Sequence, residues 1–140
     1  MKKRYWIPTL ILSFVGWLLY PQPSTGFLIR VAPILEGRMT GLRGSSIAFM
    51  MDPRFYYQFT IEPDDLRLVL NELELQPSGS QDYYITIMQG SHGPFFWHHW
   101  WWQPKNEPGV TLYEKTRKGN HVLFLHHPAT GLVHLSIQNT

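Results

Sequence analysis

The stretch HVLFLHHPATGLVHLSIQ, His121–Gln138, decides the fold. Two runs of strand-forming residues flank Pro128-Ala129-Thr130-Gly131, a turn sequence with glycine where a left-handed residue is needed. The pattern predicts a hairpin of strands His121–His127 and Leu132–Gln138, closed by a three-residue loop with a G1 bulge. In that register Leu123, Leu125, Val133, Leu135 and Ile137 share one face, the expected core face. His126 then stands directly opposite His134 on the other face, with Phe124 opposite Ser136.

Upstream, Val110 to Thr116 reads as a third strand joined to the hairpin by the tight turn RKGN. Before it comes SHGPFFWHHWWWQP, Ser91 to Pro104. This segment holds four of the six tryptophans, Trp97, Trp100, Trp101 and Trp102, together with Phe95, Phe96, His92, His98 and His99. DYYITIMQ, Asp82 to Gln89, is a strand by composition.

Further back, SSIAFMM and RFYYQFTI are separated by the turn pair Asp52-Pro53, and both are rich in strand formers. In the second run Phe55, Tyr57 and Phe59 fall on one side, and Tyr56, Gln58 and Thr60 on the other, as in a strand with one buried face. Glu62-Pro63-Asp64-Asp65 opens a helix, because proline suits the first helical position and acids suit the positive end of the helix dipole. Leu66, Val69, Leu70 and Leu73 then form one apolar stripe. Residues 45–140 are thus expected to be an α+β domain, a mainly antiparallel sheet with one packed helix.

Residues 27–44 mix apolar positions without a clear period with the Gly/Ser/Arg-rich run GRMTGLRGSS. They read as a tether with one short strand around Leu28 to Ile34, and Arg30, Arg38 and Arg43 read as ordinary solvated arginines, the alternative being contact with lipid headgroups if the anchor is retained. Residues 1–26 explain the anchor. Lys2-Lys3-Arg4 precedes YWIPTLILSFVGWLLY, an uncharged run from Tyr5 to Tyr20 that ends at Pro21 and Pro23. That layout belongs to a signal peptide or a signal anchor. The small residues Ser24-Thr25-Gly26 suit cleavage, whereas Tyr5, Trp6, Trp17 and Tyr20 bracket the run as interfacial aromatics do in a retained single-pass transmembrane helix. The expected location is the membrane, with the N-terminus cytoplasmic and the body exported, or secreted if the signal is cleaved.

Charge and composition narrow the function classes. The pI near 9.0 is a local effect, since Lys2, Lys3 and Arg4 are three of twelve basic residues and the remaining nine face all ten acids. A nucleic-acid partner requires a basic body, so none is expected. With no cysteine in the chain, disulfides, thiolate catalysis and Cys-ligated zinc are excluded.

No nucleophile elbow, phosphate-binding glycine loop or dinucleotide fingerprint occurs. Asp64 and Asp65 belong to the helix start. All seven histidines follow residue 90. His98, His99, His126 and His134 are the candidate metal ligands, since a cross-strand His126/His134 pair would be within bridging distance. Their spacing fits no zinc pattern, and neither a metal site nor a cofactor is expected.

The aromatic rings have three available uses: covering an open sheet face, lying at a membrane interface, or stacking on a ligand. If the segment is extended, Trp97 and Trp101 face the core and Trp100 and Trp102 face outward. The expected function is non-catalytic binding or assembly at the membrane or cell envelope. Phe95, Phe96, Trp97, Trp100, Trp101 and Trp102 would form the contact surface, residues 5–20 would meet membrane lipid, and an envelope protein or glycan would be the partner. The alternative is a metal-dependent enzyme or metal-binding protein built on the C-terminal histidines.

Overall fold

The computed structural model describes residues 6–19, 24–49, 52–90, 100–117 and 119–139. Helix α1 (Trp6–Leu19) is followed by α2 (Thr25–Val31) and a 3-10 turn (Pro33–Leu35). Strands β1 (Met39–Phe49) and β2 (Asp52–Ile61) lead to α3 (Pro63–Glu72), β3 (Gln76–Pro77) and α4 (Gln81–Gly90). Three strands end the chain, β4 (Thr111–Arg117), β5 (Asn120–His127) and β6 (Leu132–Asn139). All six strands form one antiparallel sheet in the order β1-β2-β6-β5-β4-β3. The architecture is α+β, as the sequence predicts.

Both faces of this sheet are covered. On the first, α2, the 3-10 turn and α3 pack Leu28, Leu35 and Val69 against Tyr57, Phe59, Phe124, Val133 and Leu135. On the second, α4 and two tryptophans pack Ile85, Met88, Trp101 and Trp102 against Tyr56, Leu112, Leu123 and Leu125. The alternation expected in β2 is present, with Tyr57 and Phe59 in the first cluster and Tyr56 in the second.

The two-sided cover overturns the expected hairpin register. His127 pairs with Leu132, Leu125 with His134 and Leu123 with Ser136, one residue away from the predicted pairing. Pro128 has no N–H to give to the ladder, so the ladder stops at His127, whose carbonyl accepts from both Thr130 (3.3 Å) and Gly131 (2.9 Å). Gly131 does take the left-handed position, at φ 69°. The loop is simply one residue longer than expected. Leu123 and Leu125 therefore face α4, while Val133, Leu135 and Ile137 face α2.

Three further expectations are corrected. Asp82–Gln89 is helix α4, not a strand. Its buried Ile85 and Met88 are three residues apart, and Asp82 sits in the first turn at the positive end of the dipole. The short strand expected at Leu28–Ile34 is instead α2 and the 3-10 turn, with Leu28 and Leu35 fully buried.

The Gly-rich run placed in the tether is the first half of β1. A register shift between Thr40 and Arg43 marks a β-bulge, with Gly41 at φ 65°. Gly44 lies where a Cβ would meet the Tyr57 ring. These glycines serve a bent strand and a close contact, not a flexible connector.

At the N-terminus α1 has 14 residues. No helix among the described residues is long and apolar enough to cross a membrane. Trp6, Ile7, Leu10, Ile11, Leu12, Phe14 and Val15 are all exposed. Tyr5 and Tyr20 lie outside the described residues.

Candidate functional site

Of the aromatic segment, Trp100 to Pro104 is described. Phe95, Phe96, Trp97, His98 and His99 lie outside the described residues. The backbone turns at Trp100 and Trp101, so strict alternation does not hold. Trp101 and Trp102 are both buried, whereas Trp100 is 73% exposed.

The Trp102 indole N–H donates to the Met88 carbonyl at the end of α4 (3.0 Å). Its ring meets Tyr56 at 5.1 Å and His134 at 5.2 Å between centroids, at interplanar angles of 64° and 83°. Edge contacts of this kind are the favoured aromatic geometry. The pair thus closes the second sheet face, where α4 alone leaves β2 and β6 uncovered.

Trp100 points outward, and the Arg43 guanidinium from β1 lies 4.4 Å from its ring centroid, a cation–π contact. Gln103 Nε2 donates to the Trp100 carbonyl (3.0 Å) and Gln89 Nε2 to the Pro104 carbonyl (3.0 Å). These bonds fix the backbone on either side of the buried pair.

Beneath the tryptophans runs a polar chain that the sequence reading missed. His126 and His134 do not face each other. His134 is next to Leu125 in register and takes the second face, while His126 is beside Val133 on the first. The partner of His134 is His127, with His127 Nε2 and His134 Nδ1 3.2 Å apart. His134 Nε2 is 3.2 Å from Gln58 Nε2, and Gln58 Nε2 donates to the Trp101 carbonyl at 2.8 Å. At the far end Glu107 Oε2 stands 3.7 Å from His127 Nδ1. The sequence signal for this arrangement was Pro128, which ends the ladder and moves the register by one.

Proton positions in the chain follow from its ends. A carbonyl only accepts, so Gln58 must present its amide nitrogen to Trp101, and that nitrogen can only donate to His134. His134 Nε2 is therefore the acceptor and its Nδ1 carries the proton. That proton goes to His127 Nε2, which leaves the His127 Nδ1 proton toward Glu107. Every donor points the same way, from Gln58 to Glu107.

Burial sets the charge states. His134 is pushed down to about 3 by desolvation first and by the His127 charge second. His127 is lowered by desolvation, partly countered by Glu107, and His126 is lowered by desolvation and by His127. Both rings of the pair are neutral at pH 7. Among the described residues, no group of three or more His, Asp or Glu side chains is arranged to hold a metal ion.

On the first face an apolar cavity of about 590 Å³ lies between α2 and the sheet, lined by Phe27, Val31, Leu73, Val122 and Ile137. Lys115 at its edge is committed to Glu74 and to the Leu73 carbonyl (3.2 Å). Glu72 lies at the same edge, so the cavity offers apolar volume without an anchoring positive charge.

Fold and site together define an α+β domain whose sheet is covered by helices on one face and by a helix and two tryptophans on the other. Set against known proteins, the chain matches no family model, no curated protein and no solved structure.

Proposed function

We propose that the chain is a membrane-attached domain with a non-catalytic binding or assembly role, its N-terminal segment held in lipid and its body outside. The observation that carries this reading is the surface of α1. Trp6, Ile7, Leu10, Ile11, Leu12 and Phe14 are each more than half exposed on a helix without a charged residue. A contiguous apolar surface of this kind marks an interaction site in a folded protein. An uncharged segment preceded by Lys2-Lys3-Arg4 suits lipid, with the basic end remaining in the cytoplasm. The run Tyr5–Tyr20 would cover roughly 24 Å at ~1.5 Å per residue, against a hydrocarbon core of ~30 Å. Local thinning accommodates such a shortfall.

Trp100 with Arg43 is the second contact of this reading. An exposed indole backed by a guanidinium suits the headgroup layer, or a planar face of an envelope glycan or protein.

The test is alkaline carbonate extraction of the full chain from membranes, beside an Ile11→Lys/Leu12→Lys variant. The wild type is expected in the membrane pellet and the variant in the supernatant. A wild type with an intact N-terminus that extracts completely would refute attachment. A C-terminal reporter active only in the cytoplasm would refute the orientation.

A further inference from the structure

We propose that the chain Gln58–His134–His127 is an acid-sensitive latch that holds Trp101 and Trp102 against the sheet. The latch follows from the direction of its hydrogen bonds and does not depend on membrane attachment. All donors run from Gln58 toward Glu107, and each imidazole has one acceptor and one donor nitrogen. No imidazole lone pair is spare within the chain.

An added proton therefore cannot stay local. A proton taken up by His134 Nε2 sends the Nδ1 proton on to His127 Nε2, where the positive charge rests beside Glu107, and leaves His134 with its one proton on Nε2. That places a donor against the Gln58 amide nitrogen, 3.2 Å away. Gln58 can restore a bond only by turning its oxygen to His134, which points nothing but oxygen at the Trp101 carbonyl. Protonating the histidine pair thus breaks a hydrogen bond that ties the Trp101 backbone to β2. Trp102, edge-on to His134 at 5.2 Å, loses its seat in the same movement.

Charged groups flank both ends of the chain. Glu107 and Lys105 lie near His127 in the segment before β4, one drawing a proton and the other opposing it. His126 is the next residue along β5 and adds repulsion if charged. Arg43 pairs in register with Gln58 across β1 and β2, with its guanidinium on Trp100. From β4, Glu114 is bound by Ser78 Oγ, and from α4 the one acid, Asp82, is bound by Asn106. His134 is 1% exposed, while Glu107 reaches solvent. Glu107 is thus the solvent-reaching counter-charge for the proton that His127 receives.

The experiment is an NMR pH titration of the full chain in detergent micelles. It follows the Trp102 indole N–H, assigned from its loss in Trp102→Phe, alongside the β5 and β6 amides. As pH falls below the ordinary histidine range of about 6.5, the indole resonance is expected to move to the position of a solvent-exposed tryptophan while the strand amides stay dispersed. His134→Asn should remove that pH response. Gln58→Glu puts an acceptor opposite His134 and a carboxylate beside the Trp101 carbonyl, so it should give the acid-type spectrum already at pH 7.

An indole that moves only together with the strand amides reports global unfolding and overturns the latch. So does a transition that persists unchanged in His134→Asn. If that variant does not fold, Gln58→Glu decides, and a neutral-pH spectrum identical to wild type overturns the proposal.

Discussion

A Cβ placed on Gly44 would stand 2.7 Å from Cδ1 of the Tyr57 ring. Tyr57 cannot retreat. It is fully buried between β1, β6 and α2, and its hydroxyl donates to the Ser24 carbonyl (3.1 Å). Gly44→Ala is therefore expected to lower unfolding free energy by about 1–3 kcal/mol through overpacking. Gly79→Ala, where nothing lies within 4 Å, should stay within about 0.5 kcal/mol. Denaturant midpoints for the two variants check the contrast.

Trp100 and Trp102 should separate by role. Trp102→Ala removes a buried ring and is expected to cost ~3–5 kcal/mol. Trp102→Phe keeps most of the packing but removes the indole N–H bond to the Met88 carbonyl, at a cost of about 0.5–1.5 kcal/mol. Trp100→Ala should leave stability within about 0.5 kcal/mol, because its ring is exposed. Thermal melts read all three, and equal losses for Trp100 and Trp102 would contradict the described geometry.

Helix α4 makes a periodicity prediction. Ile85→Ala and Met88→Ala should each cost about 2–5 kcal/mol, whereas Tyr83→Ala, on an exposed position, should cost little. A strand would put residues 83 and 85 on the same side. Chemical denaturation of the three variants therefore distinguishes helix from strand without a new structure.

His134 supplies a pH dependence with a definite sign. Its value in the folded chain is about 3, below the ordinary 6.5, so the unfolded chain binds the proton more readily. Its contribution is fully present above pH 6.5 and is lost as pH falls toward 3. The span sets an upper limit of roughly 4–5 kcal/mol. Unfolding free energies measured from pH 7.5 to 4 should fall steeply in the wild type and less steeply in His134→Asn. Parallel slopes would remove His134 as the cause.

The parts legible in sequence were those where one pattern had one meaning. Phe55, Tyr57 and Phe59 alternate in a strand, and Pro63-Asp64-Asp65 can only begin a helix. The hairpin register was not legible, because hydrophobic residues on both sides of β5 satisfy either pairing once both faces are covered. Pro128 held the answer through a missing N–H rather than through hydropathy.

Helix α4 was hidden by β-branched and aromatic residues, whose strand preference gives way to burial of Ile85 and Met88 on a shared helical face. The glycines of β1 looked like a linker because a bulge and a close ring contact use the same residue type. Of the site, the sequence located the aromatic segment and the clustering of histidines, but which histidines meet depended on that single-residue register.

The sheet's two borders differ in kind. At one, β3 has only two residues, Gln76 and Pro77, and the proline offers no N–H to a newcomer. At the other, β1 runs for eleven residues. Any further strand, whether from another molecule or from an aggregating neighbour, has one usable border to add to. The kink at Gly41 interrupts the straight row of peptide groups there, and α1 packs against the same strand. The bulge that looked like a linker in the sequence thus also limits how far this sheet can be extended.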